Sequence, residues 1–121
     1  MAKILYIEDI ADNATLAKKI LTKRGHDFLW AETAEVGLEM AVEHEPDLIL
    51  LDLGLPDVDG QTLSVWLRGE PVLKNTPIIV LTAWPEEVAK QTVEAYELNG
   101  YLCKPFKLES LMDLINANLD A

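Results

Sequence analysis

The sequence predicts an α/β fold, a doubly wound sheet of five parallel strands with helices on both faces. Three observations lead to this prediction. Short continuous apolar runs recur along the chain, segments with helical apolar spacing separate them, and proline or glycine marks several boundaries. A chain of 121 residues that is 50% apolar and 26% charged has the size and composition of one globular domain, so we treat 1–121 as a single domain.

The predicted strands are short apolar runs without polar alternation. Such runs are typical of parallel strands, because helices cover both faces of the sheet and leave neither face to water. The second run is flanked by polar residues and predicts an edge strand. The five runs are Ile4–Ile7, Phe28–Trp30, Leu48–Leu51, Ile78–Leu81 and Tyr101–Cys103.

Each segment between or after these runs has apolar residues at helical spacing, which predicts five helices. Gly25 and Pro46 follow the first two segments, and Pro77 precedes the fourth strand. Alternation of strand and helix with short connections predicts parallel strands joined by right-handed crossovers. The predicted buried faces are Leu16/Ala17/Ile20/Leu21, Ala34/Leu38/Ala41/Val42, Leu63/Trp66/Leu67, the weaker Val88/Ala89/Thr92/Val93/Tyr96 within Glu86–Tyr96, and Leu108/Leu111/Met112/Ile115/Leu119.

The charge balance excludes several classes of function. Ten basic residues against 21 acidic ones give a net charge of −11, which repels phosphate backbones, so we expect no nucleic-acid binding. No apolar run approaches the roughly 18 residues of a membrane span, so we expect no membrane insertion. Acidic residues replace the apolar stretch of a secretory signal, and a single cysteine, Cys103, fits a cytoplasmic location.

Polar residues follow four of the predicted strands. Ligands of open α/β sheets bind beyond the carboxyl ends of the strands, so these side chains are the candidates for chemistry. Taken alone, Asp9 could cap the first helix, Asp52 could start a turn, and Thr82 could cap the fourth helix. Together they would place three carboxylates, one hydroxyl and one ammonium at one edge of the sheet. The residues are Glu8, Asp9, Asp52, Thr82 and Lys104.

Clustered carboxylates repel each other unless a cation neutralises them. Mg²⁺ suits such a site, because it binds through one or two carboxylates and keeps its other positions for water and phosphate oxygens. The two histidines, His26 and His44, do not lie at predicted strand ends, so a transition-metal site is disfavoured. A carboxylate beside Mg²⁺ can attack phosphorus and form an aspartyl phosphate, with Thr82 and Lys104 as donors to the phosphoryl oxygens.

These residues resemble the receiver domain of two-component response regulators over essentially the whole chain. The resemblance rests on the acidic pair Glu8-Asp9, the segment Asp52–Gly60 (DLGLPDVDG), Leu81-Thr82-Ala83, and Tyr101–Phe106 (YLCKPF). The spacings are also similar, with 43 residues from Asp9 to Asp52, 30 more to Thr82 and 22 more to Lys104. The resemblance implies the flavodoxin-like strand order 2-1-3-4-5.

The resemblance also implies a chemical role for the acidic residues. Asp52 would accept a phosphoryl group from a phosphohistidine on a sensor histidine kinase or a histidine phosphotransferase. Asp9, Asp52 and the backbone carbonyl of Gly54 would bind Mg²⁺, and Glu8 would act through metal-bound water. The chain would then be a phosphoprotein that switches a contact with a downstream protein target.

Residues near the last two strands would sense the phosphoryl group. The resemblance implies that Thr82 and Lys104 contact it, that Tyr101 turns inward, and that the peptide bond before Pro105 is cis. Trp84 is bulky for a position that borders the phosphoryl group in this family. We expect it either to shield the acyl phosphate from water or to present an aromatic surface to a partner.

Two features depart from the usual pattern or suggest another use. The stretch Glu97–Gly100 stands where a Gly-Ala pair is usual, so the output face is harder to predict than the acceptor site. Asp57–Gly60 has the look of a calcium loop, but the first and last ligand positions would fall on Leu55 and Trp66, so we interpret it as a turn into the third helix. Asn13 is expected to serve the start of the first helix.

The leading hypothesis is a stand-alone receiver, a binding module switched by phosphorylation rather than a metabolic enzyme. The chain ends near the end of the predicted fifth helix, which leaves no room for an output domain, but a receiver excised from a longer protein would have the same sequence and stays open. An aspartyl-phosphate phosphatase is disfavoured, because such enzymes usually carry two aspartates one residue apart after the first strand, where this chain has Glu8–Ala11. A flavodoxin-like electron carrier is disfavoured because acidic residues there would repel a flavin phosphate. A receiver-like module that binds partners without phosphorylation stays open.

Overall fold

The computed structural model describes residues 2–119 and has the predicted architecture. Five parallel strands form one sheet in the order β2-β1-β3-β4-β5, so the fold class and the strand order are confirmed. Within this range no helix has the length and apolar character needed to cross a membrane. The elements are β1 (Lys3–Ile7), α1 (Ala11–Lys23), β2 (Asp27–Ala31), α2 (Ala34–His44), β3 (Leu48–Leu51), α3 (Gly60–Gly69), a 3₁₀ turn (Pro71–Leu73), β4 (Ile78–Thr82), α4 (Glu86–Ala95), β5 (Gly100–Cys103) and α5 (Leu108–Leu119).

The sheet separates two apolar cores. Because successive residues of a strand point to opposite faces, Ile4 and Tyr6 pack with α1 and α5, whereas Leu5 and Ile7 pack with α2, α3 and α4. The central strands β1, β3 and β4 are buried almost throughout. Each fully buried leucine or isoleucine contributes roughly 1.5–3 kcal/mol relative to an exposed one, so these cores hold the strand ends in fixed positions.

Four of the predicted helix faces are partly wrong, since Leu16, Val42, Trp66 and Leu108 are exposed. Trp66 was expected in the core but is 41% exposed, and Leu16 is 61% exposed. The helix α3 buries Gly60, Leu63, Ser64 and Leu67 instead, and α1 buries Ala14, Ala17 and Leu21. Small residues on these stripes bring the helices close to the sheet, which leaves the neighbouring large side chains on the flanks.

The side chains of Asp57 and Asp59 hold the loop from β3 to α3. The Asp57 carboxylate accepts hydrogen bonds from the backbone N–H groups of Ala34 and Glu35 at 2.9 and 3.1 Å, at the start of α2. Slight burial raises the pKa of Asp57, but these backbone donors outweigh it and hold the pKa below its usual value. Asp59 caps α3 by accepting from Thr62 N at 2.7 Å. The turn interpretation of this segment agrees with these roles.

The unusual stretch before β5 closes the helix α4. Glu97 has a left-handed backbone with φ of 55°, and Leu98 N donates to Val93 O at 3.0 Å, as in a Schellman closure. The Asn99 side chain then accepts from Ile78 N at 2.9 Å, while Asn99 N donates to Ile78 O at 2.8 Å. These bonds attach the end of α4 to the beginning of β4. At the edge of the sheet, β5 is half-buried, and so is Cys103.

Candidate functional site

The carboxyl edge of the sheet brings the predicted acidic residues together. Carboxylate oxygens of Glu8, Asp9 and Asp52 lie within 4.8 Å of one another. Lys104 follows β5 and points its ammonium into this group, with Nζ 2.9 Å from Glu8 Oε1 and 3.8 Å from Asp52 Oδ2. The ammonium thus contacts two of the three clustered carboxylates, which leaves the site with an excess of negative charge.

Glu8 is fully buried and only partly satisfied. Its Oε1 accepts from Lys104 Nζ and from the Asn13 side-chain amide, whereas Oε2 has no hydrogen-bond partner among residues 2–119. Burial is the main cause that raises the pKa of Glu8 to about 7, and the neighbouring Asp52 carboxyl raises it further. The side chain of Asn13 thus holds Glu8 and does not cap α1, contrary to our expectation.

Asp52 is 7% exposed, directly after the central strand β3. Its N–H donates to Ile7 O at 3.1 Å, and its Oδ1 accepts from Gly54 N at 3.2 Å, so backbone bonds orient the carboxylate. Below it lies the buried phenol of Tyr6, whose pKa is raised far above its usual value by burial and by the charges of Glu8 and Asp52. Asp52 therefore combines a rigid position with access from the surface.

The arrangement fits a hard divalent cation. Asp9 is exposed and Asp52 is reachable, while the unpartnered Oε2 of Glu8 is a buried acceptor that lacks a donor. Mg²⁺ prefers oxygen ligands and retains several water molecules, which could donate to such an acceptor. Gly54 lies in the loop directly after Asp52 and is itself exposed. The donor set of these residues thus matches the predicted cofactor.

Thr82 and Trp84 border the site on the β4 side. Thr82 is fully buried, its Oγ1 accepts from Trp84 N at 3.1 Å, and its carbonyl accepts from Lys104 N at 2.7 Å. The indole of Trp84 overhangs Gly54, because its Nε1 lies 3.5 Å from the position that a Cβ on this glycine would occupy. Trp84 is half-buried and packs against the core on the α2–α4 face of the sheet.

Tyr101 and Pro105 complete the predicted set. Tyr101 in β5 is half-buried and packs against the same core. Partial burial and the charge of Glu86 raise the pKa of the Tyr101 phenol. The Lys104–Pro105 peptide bond is cis. Tyr101 lies two residues before the end of β5, and β4 separates β5 from β3, so Tyr101 borders the site without joining the carboxylate cluster.

Trp30 is a neighbour of the site that the sequence interpretation missed. Its indole Nε1 donates to the backbone carbonyl of Glu8 at 2.7 Å. A signal for this contact was present in the sequence. Trp30 is the last residue of the predicted second strand, so it was expected near the carboxyl ends of the neighbouring strands. The pattern carried no information on the direction of the indole.

Comparison with known proteins agrees with this geometry. Residues 4–116 match the family described as the response regulator receiver domain. The polar-differentiation response regulator DivK of Brucella ovis is 27% identical over 116 residues, which cover 96% of this chain and 94% of DivK.

Solved structures share both the fold and the order of elements. The chemotaxis protein CheY4 of Vibrio cholerae superposes with a TM-score of 0.91 at 28% identity, covering 98% of this chain and 99% of CheY4. The receiver domain of the sensor histidine kinase PA1611 from Pseudomonas aeruginosa has a TM-score of 0.91 at 27% identity, with 99% and 98% covered. That structure is described with a magnesium ion coordinated in its active-site cleft. The chain described here therefore belongs to the family of response regulator receiver domains.

Proposed function

We propose that this receiver domain is switched by phosphorylation of Asp52 in the presence of Mg²⁺. The observation that carries the proposal is the carboxylate cluster at the carboxyl edge, where Glu8, Asp9 and Asp52 converge around the ammonium of Lys104. Of the three carboxylates, Asp52 follows the central strand and has one oxygen fixed by a backbone N–H. A nucleophile held in this way loses little freedom on reaching the transition state.

The transfer forms a P–O bond at a carboxylate oxygen of Asp52 and breaks the P–N bond of a donor phosphohistidine. The imidazole nitrogen leaves with the electron pair and takes up a proton, and the product is an aspartyl phosphate. Lys104 Nζ, 3.8 Å from Asp52, lies close enough to donate to the phosphoryl oxygens with a small side-chain movement. The Thr82 hydroxyl, now an acceptor for Trp84 N, becomes a donor if it rotates toward the phosphoryl group.

Asp9, Asp52 and the carbonyl of Gly54 would hold the metal, and Glu8 would accept a hydrogen bond from a metal-bound water through its free Oε2. Bound Mg²⁺ supplies positive charge that offsets carboxylate repulsion and the negative charge of the phosphoryl group. Lys104 alone cannot neutralise three carboxylates and a phosphoryl group, so its ion pair with Glu8 is expected to loosen during the transfer.

The output of the switch is a protein contact. Movement of Thr82 toward the phosphoryl group would pull on the backbone of Trp84, which precedes α4, and would give Tyr101 room to turn inward. These changes fall on the surface formed by α4, β5 and α5. We propose this surface as the part that a downstream protein target recognises, in accord with the family's use of such contacts.

We further propose that the chain acts on no external substrate and carries out only its own phosphorylation and dephosphorylation. Ile10 and Ala11 follow the acidic pair, so position 11 lacks the second aspartate of phosphatases that work through an aspartyl phosphate. A cytoplasmic location suits this role, because a sensor histidine kinase presents its phosphohistidine there and Cys103 has no partner cysteine in the sequence.

The test is intact mass after incubation with Mg²⁺ and acetyl phosphate. The wild type should gain one phosphoryl group, and Asp52→Asn should gain none. Asp113→Asn is the matched control, because it removes an exposed carboxylate on α5 away from the cluster and should keep the gain. Labelling of Asp52→Asn would contradict the proposal, whereas a wild type that no donor labels would favour a phosphorylation-independent module.

A protein donor must also cover the surface beside Asp52. A groove of about 390 Å³ between α1 and α5 begins at Asn13 and Lys104, and the exposed Leu16 lines it. With any histidine kinase or phosphotransferase that labels the wild type, Leu16→Glu should slow transfer about tenfold and leave labelling by acetyl phosphate unchanged. Val65→Glu, at another exposed apolar position on α3, is the control and should affect neither reaction.

A further inference from the structure

We propose that Trp30 is a positioning residue for the phosphoacceptor site. Its indole N–H fixes the main chain at Glu8 and thereby keeps the carboxylates of Glu8 and Asp9 directed toward Asp52. The inference rests on the proposed function, because it concerns how this chain assembles the residues that would hold Mg²⁺. It adds a residue from the edge strand β2, which carries none of the predicted site residues.

The contact extends the sheet beyond its last paired residues. The β1–β2 pairing ends at Ile7 and Ala31. The next residue, Glu8, still donates its N–H to Ala31 O at 2.9 Å, and its carbonyl accepts from Trp30 Nε1 at 2.7 Å. Both backbone groups of Glu8 are therefore held by β2, one of them through a side chain.

The carbonyl of Glu8 belongs to the peptide unit that also carries the N–H of Asp9. Because a peptide unit is planar, fixing its oxygen also fixes the direction in which the chain enters Asp9. Asp9 and Ile10 are exposed, and Ile10, the residue before α1, provides no side-chain cap, although its carbonyl accepts from Asn13 N at 3.1 Å and from Ala14 N at 3.2 Å. The indole bond thus holds the Glu8 end of the segment that carries Asp9, and the first turn of α1 holds its other end.

The charge of the cluster gives this restraint a function. Three carboxylates within 4.8 Å repel each other, and a free loop would relieve the repulsion by turning Asp9 toward solvent. The indole bond opposes this movement because it holds the carbonyl that precedes Asp9. It keeps the ligands close together before the cation arrives, and such preorganisation increases affinity.

The test compares Trp30→Phe, which keeps an aromatic ring and removes the N–H, with Trp66→Phe, which removes an exposed indole on α3. Mg²⁺ affinity is measured by calorimetry, and thermal stability is recorded in parallel. We expect the dissociation constant for Mg²⁺ to rise three- to tenfold in Trp30→Phe and to stay unchanged in Trp66→Phe.

A second measurement distinguishes the effect of the indole N–H from the effect of ring packing. It also tests the proposal if the Trp30→Phe protein fails to fold. The sequence has three tryptophans, so Trp30 is the sole one in a Trp66→Phe, Trp84→Phe double variant. Incorporating benzothienylalanine there exchanges the indole N–H for sulfur and keeps the ring shape. Weaker Mg²⁺ binding than in the same variant with tryptophan supports the proposal, and equal binding overturns it. Absence of Mg²⁺ binding by the wild-type protein would contradict the proposed function, whereas equal binding by the two variants would contradict only the role of Trp30, so the two failures are distinguishable.

Discussion

The amino ends and the carboxyl ends of the parallel strands form two opposite edges of the sheet, and these edges differ in their balance of charge. At the amino edge, the Arg68 guanidinium donates to Leu73 O, Thr76 O, Glu97 O and the Asn99 side chain, at 2.7 to 3.3 Å. At the carboxyl edge, one ammonium contacts two of three clustered carboxylates, and the buried Oε2 of Glu8 has no partner among the described residues. One edge provides a cation with several acceptors, and the other provides acceptors in excess of cations.

This difference separates the parts of the molecule that stabilise it from the part that reacts. Arg68 links the end of α3 to the segments before β4 and β5, so its guanidinium is used in hydrogen bonds within the fold. The carboxyl edge gives up stability to keep a site that a cation and a phosphoryl group can complete. Substitutions at the amino edge should therefore act without regard to Mg²⁺, and those at the carboxyl edge should depend on it.

The largest effect is expected for Arg68→Ala. Removing the guanidinium breaks four hydrogen bonds from a charged donor, so the free energy of unfolding should fall by about 3 kcal/mol, with a melting temperature lower by about 10 °C. Urea unfolding with and without Mg²⁺ measures this. Arg24→Ala removes an exposed arginine and should change stability by less than about 0.5 kcal/mol. Rescue of Arg68→Ala by Mg²⁺ would remove the distinction between the two edges.

A smaller effect is expected for Gly60→Ala, which acts on the carboxyl edge through the backbone. A Cβ at this position would lie 2.6 Å from Leu53 Cα and 2.7 Å from Asp52 O, so α3 or the acceptor loop must shift. We expect a loss of about 2–3 kcal/mol and slower labelling by acetyl phosphate. Gly69→Ala in the same helix meets no atom within 4 Å and should be neutral or stabilising by about 0.5 kcal/mol. Normal labelling of a destabilised Gly60→Ala would show that the loop does not transmit the shift.

The pH dependence of stability tests the charge excess at the carboxyl edge. The folded protein holds the Glu8 proton up to a pKa of about 7, whereas the unfolded chain releases it near 4.5. Between these values the folded state binds more protons, so stability falls as pH rises through this window. The loss should be about 1–2 kcal/mol, since solvent beside the exposed Asp9 screens part of the repulsion.

Urea unfolding from pH 5 to 8 in the presence of a chelator measures this loss, and the difference between wild type and Glu8→Gln isolates it. The variant should show a flatter profile, because a neutral amide has no proton to release. Millimolar Mg²⁺ should restore stability to the wild type at pH 8. Stability that rises with pH in the wild type relative to the variant would show that Glu8 is not a buried acid in excess of its partners.

The fold was predictable because its strongest signals are local. Continuous apolar runs such as Leu48–Leu51 mark buried strands. In a parallel sheet, the polar residue after each run lies at the carboxyl ends of the strands, whichever strands are neighbours. That rule brought Asp52 and Lys104 into the candidate site without any contact information.

What could not be predicted depends on side-chain directions between distant segments. Asn13 donates to Glu8 rather than to its own helix, and Trp30 reaches the carbonyl of Glu8 from another strand. Trp66 has the same spacing as Leu63 and Leu67, but small residues at Gly60 and Ser64 define the buried stripe of α3. No local pattern distinguishes these alternatives, because each depends on how closely two elements approach.

The smallest expected effect concerns the lifetime of the phosphoryl group in Trp84→Ala. The indole overhangs Gly54, next to Asp52, and its backbone N–H is attached to the Thr82 hydroxyl. Removing the ring opens this side of the site to water, so we expect the aspartyl phosphate to hydrolyse about threefold faster, a change of under about 1 kcal/mol in the barrier. The decay of the phosphorylated mass after removal of acetyl phosphate measures the rate.

Trp66→Ala is the control, because it removes an exposed indole elsewhere and should leave the decay unchanged. Trp84→Phe should lie between Trp84→Ala and wild type, since it restores part of the cover. An unchanged decay rate in Trp84→Ala, together with weaker binding of a downstream partner, would assign the indole to the protein contact instead of the acyl phosphate. The carboxyl edge would then be open to water on the β4 side, and the lifetime of the aspartyl phosphate would depend on the metal and Lys104 and not on the Trp84 indole.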